Sequence, residues 1–253
     1  MLFNSSSPQG SASVSVHAKL LNLLGRSIVR GELLPGDPLP NADDWSAAHG
    51  VSRTALREVI KVLAGKGMVE ARPKTGTRIR ARADWNFLDP DILAWRYGPQ
   101  STFEEARALF ELRRAIEPSA GAIAARRASE EQIAALKESY ERMERFVDDN
   151  ERFTEADLAF HQNILHMTGN ELFGSLASLI ATALLISFRL SDDNPYGQRP
   201  SLPLHLGVYE AIAQRDAEAA SSRLIELIDL SEADVNRSLS ARREREAERS
   251  RAP

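Results

Sequence analysis

The stretch GVSRTALREVIKVLAGKGMVEARPKTGTRI, residues 50–79, decides how the chain folds. Gly50 marks a turn, Ser52 is a good helix N-cap, and Leu56, Val59, Ile60 and Leu63 recur at helical three- and four-residue spacing. On the opposite side Arg53, Arg57 and Lys61 fall at i, i+4 and i+8 with Thr54 beside them, so one face is apolar and the other cationic. Beyond Gly65-Lys66-Gly67, the runs 68–72 and 77–82 flank Pro73-Lys74-Thr75-Gly76 and read as a β-hairpin with a basic tip.

Working outward toward the N-terminus, Val16, Leu20, Leu23, Leu24 and Ile28 give an amphipathic helix that Gly31 stops. The turn-rich GELLPGDPLP follows, and Asn41 with Asp43 and Asp44 then opens a short second helix ending near His49-Gly50. A short helix, a tight turn, a helix with a basic face and a hairpin wing form the organisation of a winged helix-turn-helix, whose recognition helix enters the major groove. Arg53 and Arg57 are the expected base readers, with Thr54 and the wing residue Lys74 beside them. The alternative for any one basic stripe is a solvated face; stripe, turn and wing together favour DNA.

Charge agrees with this division. The net charge of -4 hides twelve Lys and Arg against six acids in residues 1–82, a net of +6, and twenty against thirty in the remainder, a net of -10. A basic module joined to an acidic one suggests a polyanion-binding part attached to a part with another task. The chain has no cysteine, which excludes disulfides, thiolate metal sites and thiol nucleophiles and fits a reducing, cytoplasmic setting. MLFNSSSPQGSASVS lacks the basic and apolar regions of a signal peptide, and the uncharged stretch 172–188 is shorter than the roughly 20 residues of a membrane span.

With 253 residues, two domains are expected. The reading is a disordered leader over 1–13, the winged helix-turn-helix over 14–82, a linker over 83–100, an all-α bundle over 101–239 and a frayed charged tail over 240–253. Helices are predicted at about 91–97, 102–127, 130–149, 152–167, 171–190, 203–214 and 217–239, with Ser129 and Gln132 as a capping box. The fold class is mainly α.

In the second domain Asp157 and His161 stand at i, i+4 on one helix face, where carboxylate and imidazole can share a cation. A third ligand must come from elsewhere, and of His17, His49, His166 and His205 the last is the best candidate. The alternative is a hydrogen-bonded pair on a partly buried face.

Residues 14–82 resemble the winged helix-turn-helix of the GntR family of bacterial transcription regulators. That resemblance implies DNA contacts by Arg53, Arg57 and the wing glycine Gly76. Asp43 departs from the arginine often found there. The segments ELRRAIEPSAGAIAARRA, EADLAFHQNILHMTGN and PLHLGVYEAIAQRDAEAA resemble the FCD sensor domain of FadR-type members, over about 101–230. The resemblance implies a divalent metal of the zinc, nickel or manganese class on Asp157, His161 and His205. Leu227 stands at the fourth ligand position, leaving the shell to water or effector. It also implies that Arg113 faces the pocket and grips an effector carboxylate, the alternative being a surface ion pair with Glu117. DWNFLDPDILAW and EADLAFH are most similar to the DgoR-like sugar-acid regulators of the family.

The leading expectation is a homodimeric repressor that reads double-stranded operator DNA and is released by a small carboxylate, an aldonate or uronate. A metal-dependent hydrolase with an Asp/His/His centre is the alternative, although no nucleophile elbow, phosphate loop or HExxH pattern accompanies it. A nonspecific architectural DNA binder would leave the long second half without a task.

Overall fold

The computed structural model describes residues 16–39, 52–72, 76–97, 101–191 and 197–251. The chain divides into two units, 1–96 and 97–253.

In the first unit α1 (Val16–Val29) buries Leu20, Leu24 and Ile28 against Leu56, Val59 and Leu63 of α2 (Arg53–Gly65). Ser52 caps α2 by accepting a hydrogen bond from the Ala55 backbone N–H. Strands β1 (Val69–Arg72) and β2 (Gly76–Ile79) pair antiparallel, with Val69 opposite Ile79 and Arg72 opposite Gly76. Residues 36–39 lie along the other edge of β2, where the Leu39 N–H donates to the Thr77 carbonyl at 2.8 Å. The second helix expected near 41–49, the turn at Gly50 and the wing tip 73–75 lie outside the described residues.

The stretch 83–100, which reads as a linker, departs from expectation. Trp85 is buried and its indole N–H donates to the Arg80 carbonyl at 3.2 Å. Helix α3 (Pro90–Arg96) lies on α1, where the Trp95 indole N–H donates to Asn22 Oδ1 at 2.8 Å. A Cβ on Gly25 would come within 2.5 Å of the Trp95 ring, so only glycine lets the helices approach this closely. Lys66 Nζ lies 2.8 Å from both Asp89 and Asp91. The two tryptophans carry too much apolar area to leave in water, and the first unit therefore extends to Arg96.

The second unit is helical: α4 (Phe103–Arg127), α5 (Glu130–Arg145), α6 (Asn150–Met167), α7 (Glu171–Ser175), α8 (Ala177–Leu190), α9 (Leu202–Ala213) and α10 (Ala217–Arg251). The Ser129/Gln132 capping box forms as expected, and Thr102 with Glu105 forms a second one. The single helix expected over 171–190 breaks at Leu176. Gly174 lies close enough to His166 that a Cβ would sit 3.2 Å from Nδ1. The core joins Ala124, Leu136, Phe153, Phe160, Ile180, Val208 and Leu224 from six helices.

Helices α4 and α10 run antiparallel in close contact. Gly121 faces Leu224, while Arg114 clamps Asp229 and Glu232 at 2.5 and 2.6 Å. The charged tail does not fray: α10 continues to Arg251, built from the strong helix formers Ala, Arg and Glu. Its Arg243 guanidinium lies 4.5 Å over the Phe103 ring. Among the described residues no helix is long and apolar enough to cross a membrane.

Candidate functional site

On α2 the burial of Leu56, Val59 and Leu63 turns Arg53, Thr54 and Arg57 outward, and all three are exposed. Lys61, on the same face, pairs with Glu58 at 2.8 Å. Gly76 opens β2 with φ +83, a backbone conformation that favours glycine. Lys74 lies outside the described residues. The described parts of the first unit therefore present a basic helix face and a hairpin whose second strand begins at a left-handed glycine.

In the second unit α6 carries Asp157 and His161 one turn apart, and α9 brings His205 against them. His205 Nε2 lies 2.9 Å and His161 Nε2 4.0 Å from Asp157 Oδ1, and all three side chains are buried. The outer ring nitrogens explain the orientation. His205 Nδ1 is 2.9 Å from the Ser201 carbonyl oxygen, which only accepts, so Nδ1 carries the proton. His161 Nδ1 lies 2.6 Å from Glu117 Oε2, a close contact in which neither atom meets hydrogen-bond geometry. His205 Nε2 then turns a lone pair toward the Asp157 carboxylate, the arrangement in which a backbone carbonyl orients a metal-binding histidine.

Asp157 Oδ2 and His205 Nε2 are buried without a hydrogen-bond partner. A lone pair facing a carboxylate in a buried site is unfavourable unless a cation or proton lies between them. The three ligand atoms lie within 4.8 Å of one another, and bonds of about 2.0–2.2 Å to one ion would bring them to about 4.3 Å or less. The donor set fits a divalent metal after a small contraction.

Arg113, on α4, lines the same pocket. Its Nε donates to Glu117 Oε1 at 2.7 Å, and its Nη1 to Ser231 Oγ at 3.4 Å. The surface pair weighed for Arg113 and Glu117 is instead a buried one, 1% and 2% exposed. Burial opposes ionisation of Glu117, yet Arg113 and His161 hold its carboxyl down at about 2. The pocket, about 460 Å³ with its open mouth, also exposes Ser187 on α8 and Leu227, Ser231 and Asp234 on α10. Leu227, at the position where the family resemblance implies a fourth metal ligand, is an apolar wall residue, 4% exposed.

Sequence reasoning placed Asp157, His161, His205 and Arg113, which the fold brings to one pocket. It missed Glu117 as the carboxylate between Arg113 and His161, although the i, i+4 spacing of Arg113 and Glu117 on one helix was a usable signal. Ser231 and Asp234 gave no such signal, because their approach depends on how α10 lies against α4.

Residues 18–79 match the gntR family of bacterial regulatory proteins, and residues 108–230 match the FCD domain. The chain is 34% identical over 226 residues, 85% of its length and 93% of the relative's, to the HTH-type transcriptional regulator YieP of Escherichia coli. It is 28% identical to the galactonate operon transcriptional repressor of the same organism, over 83% of this chain and 92% of that one. In fold it is similar to Lar, which controls expression of the Listeria monocytogenes agr system, with a TM-score of 0.65, 19% identity and coverage of 88% and 97%. A similar match is E. coli McbR/YncC, with a TM-score of 0.53, 16% identity and coverage of 88% and 98%. The curated relatives are transcription regulators, which sets aside the hydrolase reading of the Asp/His/His cluster. The chain belongs to the GntR family of bacterial DNA-binding transcription regulators, with an FCD domain as its second unit.

Proposed function

We propose that the protein is a cytoplasmic, homodimeric repressor of a sugar-acid catabolic operon, released from operator DNA by an aldonate or uronate bound in the second unit. The observation that carries the ligand reading is the buried Asp157, His161 and His205 cluster opening into the same pocket as Arg113. A divalent metal on the three ligands, left incomplete by Leu227, supplies a Lewis-acidic position for a carboxylate or hydroxyl oxygen. The Arg113 guanidinium binds the effector carboxylate by charge-assisted hydrogen bonds. The likeness to a galactonate operon repressor supports a sugar acid as effector.

In the first unit Arg53, Thr54 and Arg57 read base edges, while Lys74 and Gly76 bring the wing backbone to DNA. Effector binding releases DNA only if it prefers one arrangement of the dimer to the other, since equal affinity for both shifts nothing.

Thermal melting of metal-stripped and metal-loaded protein against a panel of sugar acids tests this, because a ligand of the native state raises the midpoint. The expected result is a metal-enhanced rise with one acid, and release of operator DNA by that acid. Melting points unmoved by every sugar acid in both forms would overturn the reading.

A further inference from the structure

Four serines line the pocket, and three of them give their hydroxyl protons to backbone. Ser187 Oγ donates to the Ala183 carbonyl and Ser191 Oγ to the Ser187 carbonyl, both at 2.9 Å, and Ser201 Oγ donates to the Gln198 carbonyl at 2.8 Å. The first two are the usual local outlet of such a hydroxyl, the carbonyl four residues earlier. Ser231, on α10, departs from that pattern. Its Oγ accepts from Arg113 Nη1 at 3.4 Å, and among the described residues its own proton meets no acceptor.

Arg113 does not depend on Ser231 for its placement. Its side chain is buried and its Nε donates to Glu117 Oε1 at 2.7 Å, whereas 3.4 Å to Ser231 is long for a nitrogen–oxygen hydrogen bond. Because Glu117 occupies Nε, the edge of the guanidinium left for an incoming carboxylate is the pair of terminal nitrogens, with Ser231 beside Nη1. Two donors at that separation can share one oxygen, which accepts from each at about 2.8–2.9 Å. A hydroxyl that accepts from a guanidinium is polarised to donate onward, and a bond from it to an ionised carboxylate is of the strong, charge-assisted kind.

We infer that Ser231 is a second contact for the effector carboxylate, donating its hydroxyl proton to the oxygen that Arg113 Nη1 also holds. The inference rests on the proposed docking of a sugar-acid carboxylate at Arg113. Guanidinium and hydroxyl then converge on one anion, and the only pocket serine with its proton to give stands where that anion arrives.

Calorimetric titration of galactonate into the metal-loaded, full-length protein tests this; if galactonate is inert, the probe is whichever acid of the melting panel raises the midpoint. Ser231→Ala is expected to weaken the acid by about 10–100-fold and to leave zinc affinity without acid unchanged, with the melting point without acid as the check on folding. A residue that only braced Arg113 would lose its effect once Arg113 is replaced. In an Arg113→Lys background, titrated to saturation, Ser231→Ala should therefore still weaken the acid about tenfold or more. Undiminished binding by Ser231→Ala would overturn the inference and leave the sugar-acid reading intact, as would loss of the effect in the lysine background. Failure of every acid to bind wild type would overturn both.

Discussion

Glu117 Oε2 lies 2.6 Å from His161 Nδ1, while the other oxygen of the same carboxylate accepts from Arg113 Nε at 2.7 Å. One buried side chain therefore orients a candidate metal ligand and neutralises the guanidinium proposed to hold the effector. Substituting it touches both functions. Glu117→Gln should lower divalent-metal affinity by about 10–100-fold. It should also destabilise the second unit by about 3–5 kcal/mol, because Arg113 stays buried without its counter-charge. Zinc or nickel titration calorimetry and denaturant unfolding check the two effects, and the double change Arg113→Met with Glu117→Met should recover most of the stability but none of the metal affinity.

Leu227 offers the complementary gain of function. Leu227→His adds an imidazole to the pocket wall where a fourth ligand was sought, and metal affinity should rise by at least about tenfold. Without metal the variant should melt below wild type, since a polar ring replaces a buried leucine. A metal titration indistinguishable from wild type would show that this helix face does not reach the ion.

On α2, Arg57→Ala should cost about 1–3 kcal/mol of operator affinity and narrow the gap between operator and scrambled DNA. Fluorescence anisotropy at a fixed salt concentration measures both. Retention of the wild-type ratio would remove Arg57 from base reading and leave it a phosphate contact.

Gly25 tests how closely α1 and α3 must approach. Gly25→Ala places a methyl group within 2.5 Å of the Trp95 ring, and α3 must shift or Trp95 must turn, at a cost of about 1–3 kcal/mol. Trp95 fluorescence should report the change together with a lower melting point.

Lys66 sets a limit at alkaline pH. Burial lowers its affinity for a proton, but Asp89 and Asp91 outweigh this and raise its pKa above 10.5. The pairing therefore adds stability that is fully present below pH 10.5 and is lost as pH rises through the higher folded value. Lys66→Met should flatten that part of the stability profile, as followed by thermal melts between neutral and strongly alkaline pH.

The sequence by itself determined the elements whose cause is local. Apolar spacing and Ser52 fixed α2 and its exposed basic face, glycine and proline bracketed the hairpin, and Ser129 with Gln132 started α5. Asp157 and His161 were legible as a pair because a helix turn places i and i+4 together whatever surrounds them. Only the tertiary structure decided what depends on one element meeting another. Trp85 and Trp95 left the linker for the first core because buried aromatic area outweighed the turn signals around them. The break at Leu176 appeared only in the structure, and α10 persisted where charge alone suggested a frayed tail because Ala, Arg and Glu are strong helix formers. His205 completed the cluster, Glu117 joined Arg113 to His161, and Asp234 reached the pocket only through the packing of α9 and α10 against α4 and α6. Such contacts pair residues far apart in the chain, and neither periodicity nor spacing encodes them.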